Sequence, residues 1–247
     1  MAQELARLFV LRRHAIEQPD SVPEIVPLRW SPWSKKNTFE SVNLQPLVEG
    51  ADAGHAWSSF KDRMAKYWEK TAKTQWKRTG EDFLLWQQSS VEIAGVEFEF
   101  PLVNDRVRPL ILTPEASEIV IPVKGPCQRL HILGQVTFGE GFPLAGKDGD
   151  KVASYRLEFS KGKNREIPLR NGYEVAQANF INNAGRLDPT ATETQRALTY
   201  VKDIAREQYQ ILLYSIPVEG AGLVRVRCKL NGEQPPFAIF AVTAERA

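Results

Sequence analysis

An antiparallel two-sheet β-sandwich of jelly-roll type, carrying one or two inserted helices, is the fold class this sequence predicts. Three observations point to it. From about residue 90 onward, apolar residues recur at every second position, the period of a strand with one buried face. The segments defined in this way do not alternate one-for-one with helices, as a parallel α/β sheet requires. The turns between them vary in length, which suits two layers of short antiparallel strands.

Composition permits such a core. The chain has 247 residues, 43% of them hydrophobic and 25% charged. A chain of this length can close a core without disulfides or a structural metal. Lys and Arg number 32 against 30 Asp and Glu, a formal charge of +2. That is far from the basic excess of a nucleic-acid binder, so no nucleic-acid partner is expected. No stretch approaches the ~20 apolar residues of a membrane span. At the N-terminus a short apolar run, Leu8 to Leu11, precedes Arg12 and Arg13. A secretory signal has the opposite order. Cys127 and Cys228 read as small buried residues, and no CxxC or Cys/His cluster suggests zinc.

Residues 1–37 read as an extended segment or linker, because Pro19, Pro23, Pro27 and Pro32 remove donors and fix φ. The sandwich is expected over 38–247. "FESVNLQPL" (39–47) reads as its first strand. Over 55–78, Trp57, Phe60, Met64, Tyr67, Trp68 and Trp76 recur mostly at three- and four-residue steps. That spacing predicts an amphipathic helix with its lysines in water. "VEFEFP" then sets Val96, Phe98 and Phe100 against Glu97 and Glu99. "SEIVIPV" places Ile119, Ile121 and Val123 on one side. "CQRLHILGQVTF" is almost continuously apolar, as a strand covered on both faces would be. "YRLEF" and "EIPL" flank "SKGKNR", a hairpin loop in which Gly162 can take positive φ. A second helix is expected from Thr192 to about 206, on the stripe Leu198, Val201, Ile204 and Ala205. "YQILLYSIP", "LVRVRCKL" and "FAIFAVTAE" close the sandwich, the last two separated by an Asn231-Gly232 turn.

Chemical motifs are sparse. No nucleophile elbow, phosphate loop, HExxH or dinucleotide fingerprint occurs. His14, His55 and His131 lack partners at metal spacing and read as rim or buried residues. Asp148 and Asp150, in "GKDGDK", form an oxygen-rich loop that could staple a structural Ca²⁺, although Asp-Gly also marks an ordinary turn. Arg225, Arg227 and Lys229 alternate along "LVRVRCKL". This basic stripe either meets an acidic glycan or is the solvated side of a strand, protecting an edge.

The succession "VEIAGVEFEFP", "SEIVIPVKGPCQRLHILGQVTF", "VASYRLEFSKGKNREIPLRNGYEV" and "YQILLYSIPVEGAGLVRVRCKLNGEQPPFAIFAVTAE" resembles the galactose-binding-domain-like β-sandwich attached to many bacterial glycan-degrading proteins. The resemblance covers about residues 38 to 245. It includes a "LhfLg" strand at Leu130 to Gly134, a "Y.v.Y.dG....ipL..G" hairpin at Tyr155 to Gly172, and an "aI.av" strand at Ala238 to Val242. The helix at 55–78 and the interval 182–206 depart from the pattern as insertions, and the basic "SKGKNR" replaces an acidic turn. The resemblance implies a non-catalytic carbohydrate-binding or ancillary module, an oligo- or polysaccharide partner, and an extracytoplasmic setting. Trp30, Trp33 and Trp86, outside the clear strands, are the aromatic candidates for stacking on sugar, with Arg156 and Asn179 as polar candidates. Two other functions stay open: a domain that packs on a catalytic neighbour or mediates assembly, and a jelly-roll hydrolase or lyase with a concave acid/base site.

Overall fold

The structure is a computed structural model and describes residues 23–72, 85–139, 146–179, 185–202, 207–218 and 222–246. Two β-sheets packed face to face dominate it. The larger runs β1 (Glu24–Ile25), β13 (Thr194–Lys202), β14 (Glu207–Pro217), β9 (Arg129–Thr137), β16 (Phe237–Arg246) and β2 (Thr38–Ser41), all antiparallel. β7 (Leu110–Leu112) also pairs with β16, and β12 (Ala176–Gln177) lies parallel to β9. The smaller sheet runs β11 (Arg165–Arg170), β10 (Lys151–Phe159), β15 (Leu223–Leu230) and β8 (Glu118–Pro122). Two hairpins, β3 (Ser90–Ile93) with β4 (Val96–Glu99) and β5 (Leu102–Val103) with β6 (Arg106–Val107), and two helices, α1 (Gln45–Glu49) and α2 (Ala51–Ala72), complete the described elements. The all-β sandwich expected from the sequence is the fold observed.

The large sheet is covered on both faces. Toward the small sheet, Leu130, Ile132, Ile216 and Val242 meet Tyr155, Leu157, Leu169, Val226 and Cys228. On its far face, Leu133, Tyr200, Leu213 and Phe240 meet Phe60 and Met64 of α2, Val91 to Phe98 of the β3–β4 hairpin, Trp33 and Trp86. Each such large side chain contributes roughly 1.5–3 kcal/mol when removed from water. The near-continuous apolar run of β9 follows from this double cover. Both cysteines are buried and free, and burial pushes the Cys127 thiol up to about 11.

A bulge at Gly134–Gln135 reverses the side-chain parity within β9. Gly134 has φ 137°, and a Cβ there would lie 2.6 Å from the Ala238 carbonyl oxygen, so only glycine fits. Gln135 follows at φ 56°, opposite a register slip at Ala238 and Ile239. Before the bulge, even residues face the small sheet; after it, Gln135 does, and its amide reaches the buried Tyr155 hydroxyl.

Two expectations need correction. Thr194–Lys202 is strand, not helix. A register shift between Arg196 and Leu198 interrupts strict alternation and buries both Ala197 and Leu198, and Ile204 and Ala205 of the expected stripe lie outside the described residues. The first strand ends at Ser41, because the Asn43 side chain accepts the Gln45 N–H (2.9 Å) and Pro46 occupies the first turn of α1. The stretch from Pro23 runs extended through Leu28 and turns at Ser34 to Asn37, and it is fastened to the large sheet. Val26 N donates to Ala197 O (2.8 Å), Arg29 N to Gln195 Oε1 (2.8 Å), and Trp33 inserts into the far core.

Candidate functional site

The alternation along β10 and β15 turns one face of the small sheet inward and presents the other to solvent. That outer face carries Ser154, Arg156 and Glu158 from β10, Arg225, Arg227 and Lys229 from β15, Glu118 from β8 and Glu166 from β11. Together with Lys151, Asn164 and the turn at Asn231 and Gly232, they line an open depression of about 730 Å³. Five cationic and three acidic side chains line it, an excess of two positive charges.

Register explains how the charges are arranged. Arg156 stands directly opposite Arg227, a like-charge pair that is unfavourable unless an anion lies between. Glu158 is that anion. Its carboxylate accepts from Arg225 Nε, accepts from Arg227 Nε at 3.0 Å, and lies 3.9 Å from Arg156 Nε. Hydrogen bonds from the Arg225 and Arg227 guanidinium groups hold its carboxyl below the usual range. Glu118 also pairs with Arg227, and Lys151 Nζ with Glu166 at 3.2 Å. Arg156 and Arg225 remain 54% and 50% exposed at their side chains, so their planar forks face solvent beside a carboxylate already shared. The edge-protection reading of this stripe does not hold, because β15 lies between β10 and β8.

Arg156 is thus part of the depression. The other nominated residues lie elsewhere, and the structure does not bring the set together. Trp33 and Trp86 are 8% and 3% exposed in the core on the far side of the large sheet. Trp86 stacks on Phe240 and meets Phe100 and Tyr200 edge-on. Trp30 is half-buried, with the Arg29 guanidinium 5.2 Å from its ring centroid. Asn179 is half-buried and bridges to Tyr209. Asp148 and Asp150 lie in an exposed turn, where Asp150 Oδ2 accepts the Lys147 N–H at 3.1 Å and Asn171 Nδ2 donates to Gly146 O at 2.8 Å. Among the described residues, no group of three or more His, Cys, Asp or Glu is gathered to hold a metal, and no helix is long and apolar enough to cross a membrane.

A second polar constellation escaped the sequence reading. Ser215 of β14, His131 of β9 and Glu245 of β16 lie side by side on the far face of the large sheet. Ser215 Oγ is 3.0 Å from His131 Nδ1, and His131 Nε2 is 3.1 Å from Glu245 Oε2. The order of groups is that of a hydrolase relay, but all three are buried, and the Trp33 ring lies edge-on over the imidazole at 5.1 Å. Burial lowers the pKa of His131, partly offset by Glu245, so the ring is neutral at ordinary pH. Glu245 Oε1 also accepts from Ser34 N (3.0 Å) and Asn37 Nδ2 (2.8 Å). The cluster therefore ties the 34–37 segment to the sheet, with no nucleophile open to solvent.

The chain matches no protein-family model and no curated protein.

Proposed function

We propose that this chain is a non-catalytic, galactose-binding-domain-like β-sandwich module that binds an acidic oligo- or polysaccharide on the exposed face of its four-stranded sheet. The observation that carries the proposal is the crowding of Arg156, Arg225 and Arg227 around the single carboxylate of Glu158. Three guanidinium groups on one carboxylate leave donors directed at solvent. A uronate carboxylate or a sulfate ester fits them, because the planar fork of arginine binds such groups through two parallel hydrogen bonds. Ser154 and Asn164, which line the same depression, suit ring hydroxyls. Among the described residues no aromatic side chain lines it, so recognition rests on charge and hydrogen bonding, and affinity depends on salt.

The test is retention on affinity gels cast with polygalacturonate, alginate or dextran sulfate, against neutral xylan and dextran. Retardation by at least one acidic polymer, weakened about tenfold by combining Arg156→Gln with Arg225→Gln and weakened again by added salt, is the expected result. Binding to neutral polymers alone, no binding to any polymer, or acidic-polymer binding unchanged in the double variant would overturn the proposal.

A further inference from the structure

Among the described residues, the small sheet has an unpaired margin beside a groove. β8 is its edge strand. Val123 N donates to Val224 O (2.9 Å) and Leu230 N to Ser117 O (2.7 Å), so odd-numbered residues of this stretch bond to β15. Antiparallel alternation then turns the N–H groups of Glu118 and Val120, and the carbonyls of Glu118, Val120 and Pro122, to the open side. Pro122, which has no N–H, offers an incoming strand only its carbonyl.

Along that margin runs a cleft of about 450 Å³. Glu118, Ile119 and Val120 form one wall. The opposite wall is Pro46 and Leu47 of α1 with Ala53 and Trp57 of α2, and Leu110 and Ile111 lie between. The second wall is anchored. Arg108 lies 4.9 Å over the Trp57 ring and donates to Ala53 O (2.8 Å), while Glu115 pairs with Arg63 and accepts from Ser59 Oγ (2.6 Å) of α2.

From this geometry we infer that the β8 margin is a docking site for one extended peptide segment of a partner protein, added as a fifth strand to the small sheet. A row of directed backbone donors and acceptors is complementary to another backbone, which is why the occupant is a strand and neither a helix nor a small molecule. A symmetric β8–β8 ladder would meet the missing Pro122 N–H twice, whereas a single peptide strand meets it once, so the edge favours a peptide over a second copy of this chain. Side-chain alternation sets the pattern. Ile119 and Ile121 point into the sandwich while Glu118 points out, so the occupant alternates apolar residues toward Leu110 and Ile111 with polar residues toward solvent.

A displayed library of seven-residue peptides, with Val, Ile or Thr at alternate positions and any residue between, tests this. Enrichment of alternating sequences over a composition-matched scrambled library is expected. The best synthetic peptide should slow hydrogen exchange at the Glu118 and Val120 amides, and Val120→Pro in the protein should weaken it at least tenfold. N-methylation of alternate peptide amides should do the same. Ala53→Phe, which fills the groove from the helical wall, provides a block that leaves the strand intact. Failure of any alternating peptide to enrich, or binding indifferent to N-methylation and to Ala53→Phe, would overturn the inference.

Discussion

The two sheets are made of similar strands but meet different surroundings. The large sheet has hydrophobic layers on both faces, whereas the small sheet has one on its inner face and charges on the other. The same chemical group therefore means different things on each. Polar residues of the large sheet, such as His131, Ser215, Glu245 and Gln135, are buried and bonded to one another or to a covering segment. They specify which segments pack where. Polar residues of the small sheet's outer face stand in water, where ion pairs contribute little to stability and leave capacity for a ligand. A relay-like triad on the covered sheet is thus a fastening, and an unremarkable ladder of arginines on the open one is the candidate for recognition.

Truncation within the covered side should give the largest effect. Trp86→Ala removes a ring in contact with Phe100, Tyr200 and Phe240 and should cost about 3–5 kcal/mol in chemical denaturation. A loss below about 1 kcal/mol would mean that the far layer is not part of the cooperative core. Glu245→Ala leaves His131 Nε2, Asn37 Nδ2 and Ser34 N without their shared acceptor. It should cost about 2–3 kcal/mol and speed proteolysis near residues 34–37.

The same cluster predicts a pH dependence. The folded state keeps the His131 imidazole neutral, while the unfolded chain protonates near the ordinary value of about 6.5. Acid therefore favours unfolding. The stability from this group is complete above that value and declines as the pH falls below it, by at most about 1.4 kcal/mol per pH unit, until the lowered folded-state pKa is reached. Thermal melts between pH 7.5 and 5 should show that decline, and His131→Gln should flatten it. An unchanged slope in the variant would assign the dependence to other groups.

The sequence made the layers legible where one physical rule acted alone. Alternation marked β4, β10, β11 and β15, and the three- and four-residue spacing of Trp57, Phe60 and Met64 marked α2, because each has one wet side and one dry side. It misled where two rules competed. A register shift at Ala197 interrupted strict alternation in β13, and Asn43 with Pro46 ended a strand that hydrophobicity alone would extend. The candidate site was half visible. Arg225, Arg227 and Lys229 read as a stripe, but their meeting with Arg156 and Glu158 depends on β10 pairing with β15, about seventy residues away in the chain. Trp33 and Trp86 fell outside periodic segments because they plug a second core, which period-two reasoning on a sandwich does not anticipate. Nothing local in the sequence linked Ser215 or Glu245 to His131.

The smallest expected effect on stability separates the two faces most sharply. Arg225→Gln removes one partner of Glu158, which keeps Arg227 at 3.0 Å, and the substituted side chain is half exposed. Such a change should alter unfolding free energy by no more than about 0.5 kcal/mol. The Glu158 carboxyl, with one guanidinium fewer, should titrate at higher pH than in the parent chain, as followed by carboxyl NMR shifts. If ligand recognition belongs to this face, retention on acidic polymer falls while the melting curve stays in place. Were Arg225→Gln instead to destabilise the fold by as much as Glu245→Ala, the ladder on the open sheet would be a fastening like the buried one. The division between a covered sheet that holds the structure together and an open one that meets a ligand would then have to be given up.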